Sequence, residues 1–133
     1  MHADNDRLNN LSGWGIGCAF TVLNTPWVGL LEKVYENALA IEMCAAGLAA
    51  AQQRGVSVHY NGEVVGEYFA DLVVEDLLLV ELKTVNALDD THLPPALDPV
   101  QCRNFLKVSG LRLCLLVNFG NLRLEIKRMV HGV

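Results

Sequence analysis

The run from Glu67 to Val85, EYFADLVVEDLLLVELKTV, constrains this chain more than any other. It is apolar and β-branched enough for two central strands, yet Asp71, Glu81 and Lys83 lie inside it. Charged side chains are rarely buried unless they pair with one another or hold a metal. Two apart on the second strand, Glu81 and Lys83 project from the same face. An acid, about ten residues, then Glu-x-Lys suits two carboxylates around a divalent cation, with a lysine to steady or deprotonate the attacking water. The same residues also suit a plain ion pair at the open end of a strand. Loop length discriminates between the two. A two-residue turn at Glu75-Asp76 pairs Asp71 with Val80 and faces it away from Glu81. Three loop residues, Glu75 to Leu77, put Asp71 across from Glu81.

The 133 residues suit one domain over 1–133, with 1–25 as a helical extension packed on its core. Hydrophobic residues make up 52% and charged residues 19%, apolar enough to leave room for a homodimer interface. Cys18, Cys44, Cys102 and Cys114 show neither CxxC spacing nor a histidine at finger distance. Zinc and iron–sulfur ligation are therefore not expected, and buried free thiols in a reducing cytoplasm are. The start, MHADNDRLNN, lacks a basic segment before an apolar core, so no signal peptide is expected. Leu8 to Leu31 carries no charge, but Asn9, Asn10, Asn24, Pro26 and four glycines interrupt it, and no membrane span is expected.

A net charge of −5 argues against a broadly basic nucleic-acid binder. The distribution is uneven. From Gln101 onward Arg103, Lys107, Arg112, Arg123, Lys127 and Arg128 face a single acid, Glu125. A basic C-terminal third of this kind can meet the phosphates of DNA or RNA, or can be solvated surface.

Periodicity predicts a helix over Asp6 to Leu23, with Leu8, Leu11, Ile16, Ala19, Phe20 and Leu23 turned inward. Asn24-Thr25-Pro26 stops it. A second helix is predicted from about Gly29 to Ala46, its core stripe Leu31, Val34, Ala38, Ile41 and Ala45, with Glu32 and Glu36 on the wet edge and Gly47 as C-cap. Val56 to Tyr60 alternates as a strand, and Asn61-Gly62 signals a hairpin into a strand running from Glu63 through Asp71. Leu78 to Lys83 follows. Asp98-Pro99 opens a third helix, with Gln101 where a capping box puts its reciprocal partner, and Ser109-Gly110 closes it. Leu111 to Asn118 reads as a strand buried on both sides, and Leu122 to Val130 as a final alternating one. The order ααβββαββ predicts an α/β chain of α+β type, a mixed sheet flanked by helices.

That order resembles the restriction-endonuclease-like core of the PD-(D/E)XK superfamily. Gly29-Leu30-Leu31-Glu32-Lys33-Val34-Tyr35 reads as G-x-x-E-x-x-Y, which resembles the signature of the GxxExxY family of small bacterial proteins. The likeness continues through Gly66-Glu67-Tyr68-Phe69-Ala70-Asp71 and Val80-Glu81-Leu82-Lys83 to Val117-Asn118-Phe119-Gly120. It implies a nuclease-like fold with Mg²⁺ or Mn²⁺ held by Asp71, Glu81 and the carbonyl of Leu82. It further implies Glu32 as an additional acid, direct or through water, Lys83 as the group that positions the nucleophile, and Gln101 steadying the site. Relatives tend to carry His where this chain has Asp98, and Tyr where it has Phe105. Both differences favour a structural Gln101.

Glu32 also has a plain structural reading, bonded to a backbone N–H or to Tyr35. His59, His92 and His131 have no partner at ligand spacing, and Trp14 and Trp27 read as packing residues. Two functions follow as expectations: a metal-dependent enzyme cleaving DNA or RNA phosphodiesters, or a nuclease-fold binding or assembly module without efficient turnover, dimeric through its apolar surface.

Overall fold

Residues 2–25, 32–84, 99–120 and 124–131 are described by a computed structural model, with 2–5 and 99–101 as backbone alone. Helices α1 (His2–Leu23) and α2 (Glu32–Ala45) precede strands β1 (Ala50–Tyr60), β2 (Glu63–Val74) and β3 (Leu78–Lys83). Helix α3 (Pro99–Ser109) and strands β4 (Leu113–Asn118) and β5 (Glu125–Val130) complete the order ααβββαββ expected from sequence. The sheet runs β1-β2-β3-β4-β5. Every neighbour is antiparallel except β3 and β4, which are parallel and so require the crossover through α3.

Turn chemistry sets both hairpins. Asn61 and Gly62 take φ of 50° and 80°, so Tyr60 pairs with Glu63 across a two-residue turn whose twist matches that of the strands. In the second hairpin Glu75 and Asp76 both have φ of 55°, and Leu77 N–H closes the turn on the Val74 carbonyl at 3.0 Å. Leu77 is nevertheless left out of the ladder, which begins with Val74 opposite Leu78 and continues to Leu72 opposite Val80. The loop therefore has the odd count, and the register carries Asp71 toward Glu81.

Two cores cover the sheet. Leu72, Val74, Leu78, Val80, Leu82, Leu113, Leu115 and Val117 pack against Leu8, Leu11 and Val22 of α1 and Tyr35, Leu39 and Met43 of α2. On the other face Ala70, Val73, Leu79, Cys114, Leu116 and Met129 pack under Cys102, Phe105 and Leu106 of α3. All six residues of β3 and of β4 are buried, as an apolar run covered on both faces should be. Gly15 lies close to the sheet: a Cβ there would meet Leu78, Leu115 and Met43 at 3.5–3.7 Å. At the end of α2, Gly47 takes φ of 82°, with its N–H on Cys44 O and Leu48 N–H on Met43 O, the paired bonds of a Schellman cap.

Several expectations shift. Helix α2 buries Tyr35, Glu36, Leu39 and Met43; of the expected stripe, Ala38 packs against that core, Ile41 is 68% exposed, Ala45 is exposed, and Leu31 lies outside the described residues. Larger side chains won that contest, helped by partners for Glu36 described below. In α1, Phe20 and Trp14 are largely exposed, and Cys44 is exposed where a buried thiol was expected. Strand β1 starts six residues earlier than Val56, β2 runs past Asp71 to Val74, and β4 and β5 begin later than expected. Trp27, His92, Asp98 and Arg123 lie outside the described residues. No described helix is long and apolar enough to cross a membrane.

Candidate active site

The β2–β3 ladder stops after Leu72 and Val80, and β2 changes face at the same point. Leu72 and Val74 pack toward α1 and α2, whereas Val73 and Ala70, three residues apart, both pack under α3. Strict alternation would not allow that. Opposite the slip, Gln53 in β1 has φ of 52°, and Gln53 and Asp71 are skipped between the pairs Gln52 with Leu72 and Arg54 with Ala70. A non-glycine residue held in that conformation costs about 1–3 kcal/mol and marks a place where other contacts overrule the backbone.

Asp71 fills the opening. Its Oδ2 accepts the Leu82 N–H at 2.8 Å, taking over from the backbone carbonyl that a continuing ladder would supply. Along a strand the N–H and C=O of one residue leave by the same edge, alternating from residue to residue. Lys83 O accepts Phe119 N–H on the β4 side, so the Leu82 carbonyl leaves on the β2 side, the edge that Asp71 occupies. Beside it Glu81 is 9% exposed. Burial first, then the charge of Asp71 and a hydrogen bond to Asp71, push its carboxyl up to about 10. Two acids here compete for room that suits one negative charge.

Lys83 is 4% exposed and continues the Glu81 face. Glu32 is half-buried on α2; burial raises its pKa, Asp71 and Glu36 add to the rise, and Lys83 opposes it. Glu32 thus lies within electrostatic reach of Asp71 and Lys83. Among the described residues no three His, Cys, Asp or Glu side chains gather as a set able to hold a metal ion, so Asp71 and Glu81 stand as a pair. Gln101 is in the first turn of α3, next to Cys102, and its side chain lies outside the described residues. Cys102 and Cys114 are free thiols joined by a hydrogen bond, which together with burial raises the Cys114 thiol well above its ordinary range. Phe105 is buried and packs edge-on against the half-exposed Tyr68 at 5.6 Å.

Tyr35 stacks on Phe119 with ring centroids 5.0 Å apart and planes within 8°. That contact fixes α2 over the C-terminal ends of β3 and β4, and Glu32 and Glu36 come with it. The strand ends of such sheets are where open α/β folds assemble their sites. Reading the sequence missed Glu36, Gln52 and Gln53. Glu36 is 3% exposed and accepts from Lys33 and Gln52 at 2.7 Å and from Gln53 at 2.8 Å. The adjacent glutamines were the available signal, since amides can satisfy a buried acid without cancelling its charge.

A family model of the PD-(D/E)XK nuclease superfamily matches residues 9–129. The chain belongs to that superfamily. Asp71 lies on β2 and Glu81 and Lys83 on the neighbouring β3, all within the matched residues. Such nucleases generally use divalent metals. No curated protein matches the chain. Among solved structures, that of SSO0001 superimposes with a TM-score of 0.53 at 15% identity, over 76% of this chain and 50% of its own. An alkaline exonuclease from Laribacter hongkongensis, LHK-Exo, gives 0.49 at 16% identity over 75% and 56%. At these identities the likeness concerns the fold alone. The chain spans about half the length of the structures it matches.

The donors present suit a hard divalent cation. Asp71, Glu81 and the Leu82 carbonyl offer oxygen only, the preference of Mg²⁺ and Mn²⁺. Two carboxylates are also enough, because Mg²⁺ commonly keeps waters and takes its remaining ligands from substrate phosphates.

Proposed function

We propose that this chain is a Mg²⁺- or Mn²⁺-dependent nuclease that hydrolyses phosphodiester bonds of DNA or RNA, within the GxxExxY group of its superfamily. One observation carries the reading: the Asp71 carboxylate lies in the opening between β2 and β3, hydrogen-bonded to the Leu82 amide and beside the buried Glu81. Asp71, Glu81 and the Leu82 carbonyl would hold the cation. When bound, it supplies Lewis-acid charge at the scissile phosphate. Lys83 brings a cation onto the same face as Glu81 and would orient the attacking water, while Glu32 offers a second acid near that ammonium to receive a proton. Gln101 would support the site from α3. The stack of Tyr35 on Phe119 joins both ends of the GxxExxY-like run and supports that narrower placement.

The basic residues of the C-terminal third divide between faces. Arg128 donates to Asn9 of α1 at 2.5 Å, whereas Lys127, its neighbour, alternates to the α3 face. Arg103 and Lys107 are exposed on α3, one turn apart, so the phosphate-binding surface is proposed on that side. Cleavage of single- and double-stranded DNA and RNA with Mg²⁺ or Mn²⁺ tests the reading. Lys83→Met keeps the apolar stem and should lower activity about a hundredfold or more. Unchanged cleavage in that variant would remove Lys83 from the mechanism and point to a contaminating nuclease.

A second reading, an assembly module, is favoured by the β1–β2 arm. Tyr60, Val64, Val65 and Phe69 are each more than half exposed there, and β1 is an edge strand. A two-stranded ribbon is marginal in water unless something covers it, and the occupant proposed is a second copy of the chain. Sedimentation should show a dimer that Val65→Lys dissociates. A wild-type protein that stays monomeric at every concentration would sink this second reading.

A further inference from the structure

Behind Asp71 stands an acid that the proposed chemistry does not use. Glu36 is buried on α2, and at that depth its carboxylate needs donors. Gln53 provides one to Oε1 at 2.8 Å, and the same amide nitrogen also donates to Asp71 Oδ1 at 3.3 Å. With two N–H groups, one amide can serve both acids. It does so from a left-handed backbone, at the point where β1 and β2 skip a pair. The strand gives up a ladder position there, and the link between side chains replaces it.

We propose that Gln53, anchored by Glu36, is a positioning residue that holds the Asp71 carboxylate against the Leu82 amide and so sets the geometry of the Asp71–Glu81 pair. The proposal rests on the nuclease reading for its purpose, though its geometry can be tested without a metal. The Leu82 amide on Oδ2 and the hydrogen bond shared with Glu81 both tie Asp71 to β3 alone. The Gln53 donor on Oδ1 adds a tie from β1, on the other side of the carboxylate. Neither Gln53 nor Glu36 needs to touch substrate, since both act through Asp71. Outer partners of this kind commonly change metal affinity by about 10–100-fold.

Gln53→Asn in the full chain tests it. Asparagine accepts positive φ more readily than glutamine, which spares the fold, while a side chain one methylene shorter cannot span both carboxylates. Amide hydrogen exchange followed by NMR in metal-free protein is the first readout. Leu82 should exchange about tenfold faster or more, with Val80 and Phe119 unchanged. The second readout is Mn²⁺ binding by calorimetry, expected to weaken about 10–100-fold. Glu36→Gln should move both readouts the same way. An unaltered Leu82 rate in Gln53→Asn overturns the proposal, and equal acceleration of all amides overturns it too, because that marks a merely structural role. Wild-type protein that binds no Mn²⁺ would overturn the metal reading instead, leaving the Leu82 rate to decide whether Gln53 positions Asp71.

Discussion

Glu81 gives the sharpest residue-scale test. In the unfolded chain its carboxyl loses a proton near the ordinary value of 4.5, whereas in the fold burial beside Asp71 holds it to about 10. Between those values the native state binds the proton more strongly than the unfolded state, so rising pH favours unfolding. Stability of metal-free protein should accordingly be fully present below about pH 4.5 as far as this group is concerned, and decline through the neutral range. Glu81→Gln mimics the protonated acid and should flatten the decline, as thermal melts across pH would show. A wild-type profile that rises from pH 5 to 9 would contradict the burial argument. Two residues away, Lys83 was legible because an apolar strand rarely tolerates an unexplained lysine. Glu36 was not, because a glutamate on an amphipathic helix reads as solvated surface until its donors, sixteen and seventeen residues on in sequence, are known.

At the scale of elements, α1 shows local propensity giving way to packing. Gly13, Gly15 and Gly17 each weaken a helix, yet α1 forms because its buried face lies against α2, β3 and β4. Open space surrounds the Cβ position of Gly13 and of Gly17, and at Gly15 the nearest atoms stand at ordinary contact distance. Alanine at any of the three should raise stability by about 0.5–1 kcal/mol in a denaturant titration. Leucine at Gly15 should instead cost about 1–3 kcal/mol through overpacking. A destabilising Gly17→Ala would mean that the exposed face of α1 is covered by something else. The β2–β3 hairpin teaches the opposite lesson, since three loop residues rather than two decide whether Asp71 reaches Glu81. Sequence stated that condition, but Glu75-Asp76-Leu77 carries no glycine or asparagine to reveal which turn is used.

For the whole molecule, the proposed cation at the β2–β3 opening would tie the arm-bearing half of the sheet to the buried β3–β4 half. A ligand that binds only the folded state stabilises it by about 2.7 kcal/mol at a hundred times its Kd. Mn²⁺ or Mg²⁺ should therefore raise the melting temperature in a concentration-dependent way, and Asp71→Asn should abolish the rise; equal shifts in both proteins would place the cation elsewhere. Sequence alone determined the order of elements, the mixed sheet and the placing of Asp71, Glu81 and Lys83 on neighbouring strands, because alternation, turn residues and the cost of burying charge are local rules. The tertiary structure alone decided which face of α2 is buried, where β2 turns over, and that Gln53 links Asp71 to Glu36. Those outcomes depend on contacts between elements far apart in the chain, where packing of Tyr35 on Phe119 and satisfaction of a buried carboxylate outweigh the local pattern.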